Sequence, residues 1–436
     1  MGNYQGYQKY KDSGVVWLGD IPEHWEQKRF KFSVNLINNK IEAENSNLSY
    51  MGLEHIESWT GKKIEDKNAS SEGIGSHFLP NDVLFGKLRP YLAKVYLSDI
   101  EGLASTEALV LRCKNNIFPK FLKYYILSRD FINIVDSSTF GAKMPRASWD
   151  FIGNLFFIFP PLNEQEKIAQ FLDYKTKQID ELIKKKETLI EKLDEKRTAI
   201  ISHAVTKGLD SSVPIKDSGL EWLGDIPKHW EVKRLRYIGS CQNGISKGAD
   251  YFGFGYPFVN YTDVYANIEL PKTVSGLANS TDMDRINYSV QKGDIFFTRT
   301  SETIEEIGIT STCFNSINNA TFSGFLIRVR PFPNLLFTGF SKYYFRCQLH
   351  RLFFVKEMNL VTRASLSQEL LKRLPVLLPT IEEQKQISKH LDQKTAQIDQ
   401  QKAKIKQAIE LLKEYRTSLI TNAVTGKIDV SQIAVP

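Results

Sequence analysis

From about residue 164 to residue 205, apolar side chains recur at alternating steps of three and four, which predicts one long helix with a single apolar stripe. One seam runs through Ile168, Lys175, Leu182, Leu189 and Lys196, the other through Leu172, Ile179, Lys186, Leu193 and Ile200. The pattern returns near the C-terminus as Leu391, Ile398, Ile405, Leu412 and Leu419. Neither block holds Pro or Gly before Gly208 and Gly426, and each follows a proline with a capping-box candidate: Asn163 with Glu166, and Thr380 with Glu383. These pairs fall two residues apart in the repeat, so one helix start is expected to be misplaced. A helix of about 40 residues is about 60 Å long, too long for one compact core. Its stripe needs a covering helix, and the chain supplies one in its other copy. The predicted pair is antiparallel and is made through Leu172, Ile179, Leu182, Leu193, Leu391, Ile398, Ile405 and Leu412.

Elsewhere the period shortens. DVLFGK and ALVLRC in one region, and GDIFFTR and FLIRVR in another, read as strands, while KFLKYYILSRDFINIV reads as helical. LFFIFPPL at 155–162 is the longest apolar run; it suits a buried strand and is far short of a membrane span. Each region therefore predicts an α+β globule.

The two halves are copies. KDSGVVWLGDIPEHWEQKR at 11–29 matches KDSGLEWLGDIPKHWEVKR at 216–234 at 15 of 19 positions without a gap. PPLNEQEKIAQFLDYKTKQID from Pro160 matches PTIEEQKQISKHLDQKTAQID from Pro379, and EKRTAIISHAVTKGLD matches EYRTSLITNAVTGKID. Between these blocks the likeness is faint: DVLFGKLR with DIFFTRTS, KYY at 123–125 with KYY at 342–344, RAS at 146–148 with RAS at 363–365. The repeat predicts a pseudo-two-fold fold with neighbouring termini. Its expected parts are a first globule with an N-terminal strap (1–162), a first spacer helix (163–207), a second globule with a repeated strap (208–378), and a second spacer helix with a tail (379–436). Trp17, Trp25, Trp222 and Trp230 are anchors of the two straps, and His24 and His229 read as hydrogen-bonded structural residues.

Composition narrows the chemistry. The net charge of +7 permits a polyanionic partner. Four scattered cysteines and seven histidines form no metal-ligand spacing, so no metal is expected. With a polar N-terminus and no apolar span, the cytoplasm is the expected compartment. Basic residues gather near loops: Lys87, Arg89, Lys94, Lys143, Arg146, Lys247, Arg299 and Arg363. Arg and Lys at loop tips suit phosphate neutralisation and guanine reading in the major groove, and their recurrence in both globules makes them the DNA-binding candidates. No methyltransferase tetrapeptide and no phosphate-binding GxxxxGK[ST] occurs. The glycine-rich GADYFGFGYP at 248–257 reads as a surface loop, and the acid-x-Lys triplets at Glu65 and Asp194 read as chance. No catalytic residue is expected.

The strap W-L-G-D-I-P-x-H-W, the P-P-L-x-E-Q-x-x-I-x-x-x-L-D block and F-G-A-K-M-P-R resemble the specificity subunit of type I restriction-modification systems, over essentially the whole chain. The resemblance implies two target recognition domains separated by antiparallel helices in a coiled coil. Each domain would read one half of a bipartite, asymmetric site on double-stranded DNA. It also implies two modification subunits docked on the helices, with restriction and translocation subunits in the full complex. S-adenosylmethionine, ATP and Mg²⁺ would then belong to partner subunits, with no cofactor in this chain. The alternative is a self-contained DNA methyltransferase or nuclease with two DNA-reading domains; a nearer one is an orphan architectural DNA-binding protein.

Overall fold

Both long helices form, as Leu162–Lys207 and Ile381–Val424. They belong to a computed structural model that describes residues 4–42, 46–64, 73–139, 141, 143–301, 306–347, 349–357 and 364–435. The second helix starts where the capping box predicts, with the Glu383 amide donating to Thr380 Oγ1 at 3.3 Å and the Thr380 amide donating to Glu383 Oε2 at 3.1 Å. The first does not. Asn163 lies inside its first turn, and the Pro161 carbonyl receives the Glu164 and Gln165 amides. Pro161 is the counterpart of Thr380 and carries no hydroxyl, which leaves Glu164 free for another task. Past the helix ends, Gly208 (φ 77°) and Gly426 (φ 73°) take the left-handed conformation that closes a last turn at little cost.

The chain divides into two compact units, Met1–Glu187 with Ile405–Pro436, and Thr188–Lys404. Each contains one α+β domain and one segment from each long helix, and within each unit the two segments are antiparallel. In the first unit Arg416 pairs with Asp180 at 3.0 Å; in the second Lys402 pairs with Asp194 at 2.6 Å, and Arg197 pairs with Asp399. In the second unit the two residue numbers add to the same total in both pairs, as antiparallel segments require.

The predicted seams hold in part. Leu172, Ile179, Leu193, Leu391 and Ile398 are buried, and Ile405 and Leu412 are half-buried. Leu182 and Leu189, by contrast, are 43% and 48% exposed. The first seam is shifted by one residue: Ala169, Thr176, Ile183, Ile190 and Arg197 are buried or half-buried, in alternation with Ile179, Lys186, Leu193 and Ile200. Thr176 and Arg197 face inward because each has a polar partner there, a role invisible to an apolar count.

In the first unit the strands Val34–Ile37, Ala108–Cys113, Val83–Gly86 and Val95–Leu97 form an antiparallel sheet in that order. In the second unit Gly239–Asn243, Leu326–Pro331, Ile295–Thr298 and Thr310–Thr312 repeat that order. The acid of DVLF and DIFF explains part of the likeness. Asp82 is buried and takes a two-pronged bond from Arg112, 2.7 Å on both prongs. Asp294 takes the same from Arg330 at 2.6 and 2.7 Å. Truncating either arginine would strand a buried carboxylate.

Two local expectations change. KFLKYYILSRDFINIV is two helices, Pro119–Ile126 and Arg129–Ser137, with Ser128 capping the second. GADYFGFGYP is not a loop: Phe252–Val259 is a strand, with Gly253 and Gly255 at φ 98° and 96°. Residues with that backbone must lack Cβ for a strand to kink so. The termini meet as predicted, since the Asp429 amide donates to the Gln5 carbonyl at 2.8 Å and Tyr10 Oη donates to the Gly426 carbonyl at 3.0 Å.

Candidate nucleic-acid interface

Each domain is fastened to its helix segments by the same residues. Trp25 and Trp230 are fully buried. Trp25 Nε1 donates to Glu164 Oε1 at 3.0 Å, and Trp230 Nε1 donates to Glu383 Oε1 at 3.3 Å. His24 Nε2 lies 2.8 Å from the other oxygen of Glu164, and His229 Nε2 lies 2.7 Å from Glu383. Both histidines are thus structural. Trp17 and Trp222 are less covered and pack against the two cores. The hydrogen bonds from His229, Thr380 and Trp230 hold the Glu383 carboxyl below the usual range, against a desolvation that alone would raise it.

One residue further on, the buried Gln165 donates to the Asn116 and Pro160 carbonyls and accepts from the Phe118 amide; Gln384 does the same with Leu335, Pro379 and Phe337. Deeper in each helix, Tyr124 Oη donates to Asp173 at 2.6 Å and Tyr343 Oη donates to Asp392 at 2.8 Å. The repeated E-Q and L-D of the helical blocks, together with the tyrosine of each KYY, are therefore docking residues. A repeated sequence meets a repeated surface.

With the domains anchored, three segments of the first converge on one edge. The Lys87 amide donates to the Glu107 carbonyl at 2.9 Å, Arg89 to Pro145 at 2.8 Å, and Ala147 to Lys87 at 2.9 Å, while Leu88 bridges Arg146. This edge collects Lys87, Arg89 and Arg146, with Lys143 two residues ahead of Pro145 in the chain. Arg89 and Lys143 are exposed and Lys87 is half-exposed; Arg89 has φ 51°, a left-handed backbone uncommon for a side chain of its size. Arg146 pairs with Glu107, Nε to Oε2 at 3.0 Å and Nη2 to Oε1 at 3.2 Å. That hydrogen-bonded carboxylate raises the arginine's pKa. Lys94 is elsewhere: its ammonium donates to the Leu53 and Ile56 carbonyls at 2.6 and 2.8 Å, and burial lowers its pKa. It braces a loop and does not extend the basic edge.

In the second domain the Arg299 amide donates to the Phe325 carbonyl at 2.9 Å, and Arg299 Nη1 donates to the Gly324 carbonyl at 3.3 Å. The Gly324 amide donates to Ile245 at 2.8 Å, which brings the exposed Ser246 and Lys247 alongside. Arg363 lies outside the described residues; Ala364–Ser365, which follow it, pair with Thr300–Ser301. The edge is thus built from equivalent strands carrying different side chains. Glu107 and Phe325 escaped the sequence reading as site residues, although Glu107 directly precedes the predicted strand ALVLRC and Phe325 opens the predicted strand FLIRVR.

Among the described residues no group of three His, Cys, Asp or Glu could hold a metal ion, and no helix is long and apolar enough to cross a membrane. The four cysteines are unpaired. Asp194 of one acid-x-Lys triplet is bound to Lys402; the triplet at Glu65 lies outside the described residues.

The chain is 25% identical over 335 residues to the type I restriction enzyme EcoKI specificity subunit of Escherichia coli K12, covering 73% of this chain and 68% of the relative. It is 24% identical over 433 residues to the MjaVIII specificity subunit of Methanocaldococcus jannaschii, 95% of both chains. A chain from a structure of type I R-M complex assembly superposes with TM-score 0.70 at 19% identity, covering 93% of this chain and 98% of that one. The HsdS subunit of Thermoanaerobacter tengcongensis superposes with TM-score 0.56 at 20% identity, covering 94% and 98%. The sequence model of the family described as type I restriction modification DNA specificity domain matches residues 11–192 and 227–411, one match per repeat, and the chain belongs to that family of specificity subunits.

Proposed function

We propose that each domain reads one half of a bipartite, asymmetric duplex site through the edge at Lys87, Arg89, Lys143 and Arg146, or at Lys247 and Arg299. The observation that carries this reading is the pairing of an identical mount with an unlike edge. The straps, Gln165 with Gln384 and Asp173 with Asp392 fix both domains in the same way, whereas Glu107 and Phe325 occupy one turn position with opposed chemistry. A pseudo-two-fold reader with unlike edges suits two different half-sites.

On this reading the paired helices set the number of unread base pairs and dock two modification subunits. Adenine methylation with S-adenosylmethionine, and restriction with ATP and Mg²⁺, belong to partner subunits, and the complex works on cytoplasmic DNA. The first unit ends at Glu187 and the second begins at Thr188 within one unbroken helix, so helix length is the natural variable for the gap.

The test is to co-express the chain with its modification subunit and map methylated adenines across the genome. A two-part motif with a fixed gap supports the reading. Methyl transfer by the purified chain with S-adenosylmethionine, or cleavage with Mg²⁺ alone, overturns it in favour of a self-contained enzyme.

A further inference from the structure

We propose that Glu107 and Phe325 are specificity-determining residues: Glu107, fused to Arg146, takes an exocyclic base amine in one half-site, and Phe325 takes a thymine methyl in the other. This rests on the DNA-reading function above and adds to it two positions that the basic residues do not provide.

The two residues are equivalent by construction. Each is the second residue of a two-residue turn, Thr106–Glu107 or Gly324–Phe325, leading into the strand at the centre of its sheet. Both turns are fixed by a serine two residues back. The Glu107 amide donates to Ser105 Oγ at 3.2 Å and the Phe325 amide to Ser323 Oγ at 3.2 Å. Both carbonyls receive the amide that follows the neighbouring strand, from Lys87 or Arg299. The backbone therefore delivers the two side chains to one place relative to the basic edge.

The chemistry at that place differs. A carboxylate in a phosphate-binding edge repels its ligand unless it is neutralised or has a base to contact. Arg146 neutralises it without saturating it, because a carboxylate offers about four lone-pair sites and the pair uses two, while the guanidinium keeps donors beyond those two. The plate that results presents an acceptor beside a donor, with side chains 29% and 45% exposed. That order complements cytosine N4 beside guanine O6 across one base pair. Phe325 has no polar atom and is 60% exposed. Beside Arg299 it offers an apolar face to a groove in which the thymine methyl is the apolar feature.

The experiment uses the full chain in complex with its modification subunits and a randomised duplex library, with sequencing of bound DNA. The expected result is that Glu107→Ala relaxes one position of one half-site at least about tenfold, Glu107→Gln keeps discrimination for an amine-bearing base, and Phe325→Ala relaxes one thymine in the other half-site. Replacing that thymine by deoxyuridine should weaken the parent and leave Phe325→Ala indifferent. Parent-like motifs from both alanine variants, or affinity lost equally on all sequences, would overturn the assignment while leaving the reading function standing. A parent complex that enriches no motif would overturn the reading function itself.

Discussion

At the scale of single residues, burial makes His350 the clearest pH reporter. It sits in the second unit with ring centroids 4.5 Å from Tyr344, 6.0 Å from Phe345 and 6.3 Å from Trp222, and it bonds the Tyr344 carbonyl at 2.9 Å. Burial pushes its pKa down to about 4. An unfolded chain takes up that proton near pH 6.5, so the folded state loses stability as pH falls from about 6.5 to about 4, by roughly 3 kcal/mol in all. Thermal melting over that range should show the loss, and His350→Leu should remove its slope. Glu383 has its carboxyl held low and adds a loss at lower pH, as the medium falls through and below the ordinary glutamate range near about 4.3. Acid should therefore loosen the second strap after His350 has titrated, and protection of the Trp230 amide from hydrogen exchange should fall below about pH 4. These groups were not legible as sensors in the sequence, because the environment that shifts them comes from distant segments. The basic edge was partly legible. Recurrence of loop-tip charges named Lys87, Arg89 and Arg146, whose backbones the fold brings to one edge, whereas nothing local reveals that the Lys94 ammonium turns inward onto two carbonyls.

At the scale of elements, two arginines in equivalent positions of the repeated helices have unequal surroundings. Arg416 is buried, and besides Asp180 it donates to the Trp59 carbonyl at 2.9 Å and the Thr60 carbonyl at 3.0 Å. Trp59 holds a left-handed backbone, φ 65°, at that contact. Arg197 bonds Asp399 and the Thr395 carbonyl, and its side chain is 29% exposed. Removing Arg416 unpairs the Trp59 and Thr60 carbonyls and leaves Asp180, 16% exposed, with Lys62 alone at 2.7 Å, a cost of about 1–3 kcal/mol; removing Arg197 breaks a pair whose acid is mostly in water, about 1 kcal/mol or less. Arg416→Ala should thus raise hydrogen exchange across 52–64 and lower the denaturation midpoint, and Arg197→Ala should barely move it. Equal effects would show that the loop adds nothing. The heptads told which helices pair, because apolar seams survive in sequence, and the symmetry of the repeat told in which sense. They placed one seam a residue off because Leu182 and Leu189 look like core while Arg197 and Thr176, which occupy the true seam, do not. A hydrogen bond with Tyr124 holds Thr176 there and an ion pair with Asp399 holds Arg197, and a hydrophobic pattern cannot see either.

At the scale of the whole molecule, the charge pairs inside each unit constrain how the helices can be lengthened. An insertion in one helix alone, inside a unit, slides Asp180 from Arg416 or Asp194 from Lys402. Insertions at Glu187/Thr188 and Lys404/Ile405 together, where both helices pass from one unit to the other, preserve every pair inside each unit. Seven residues at each point keep the heptad phase and add about 10 Å at 1.5 Å per residue, equivalent to about three base pairs at 3.4 Å each. The doubly extended chain should therefore methylate sites with the same two half-sites and a gap longer by about three base pairs, as read by genome-wide methylation mapping. The singly extended chain should lose methylation or stability, because an unmatched heptad leaves the charge pairs of only one unit in place. Exchange of residues 30–160 for those of a relative tests the other axis: one half-site should change while the gap and the second half-site stay. An unchanged gap after paired insertion would mean that the helices fasten domains without measuring distance. A change in both half-sites after the exchange would mean that the domains do not read independently, and the repeated mount at Glu164 and Glu383 would then serve assembly alone.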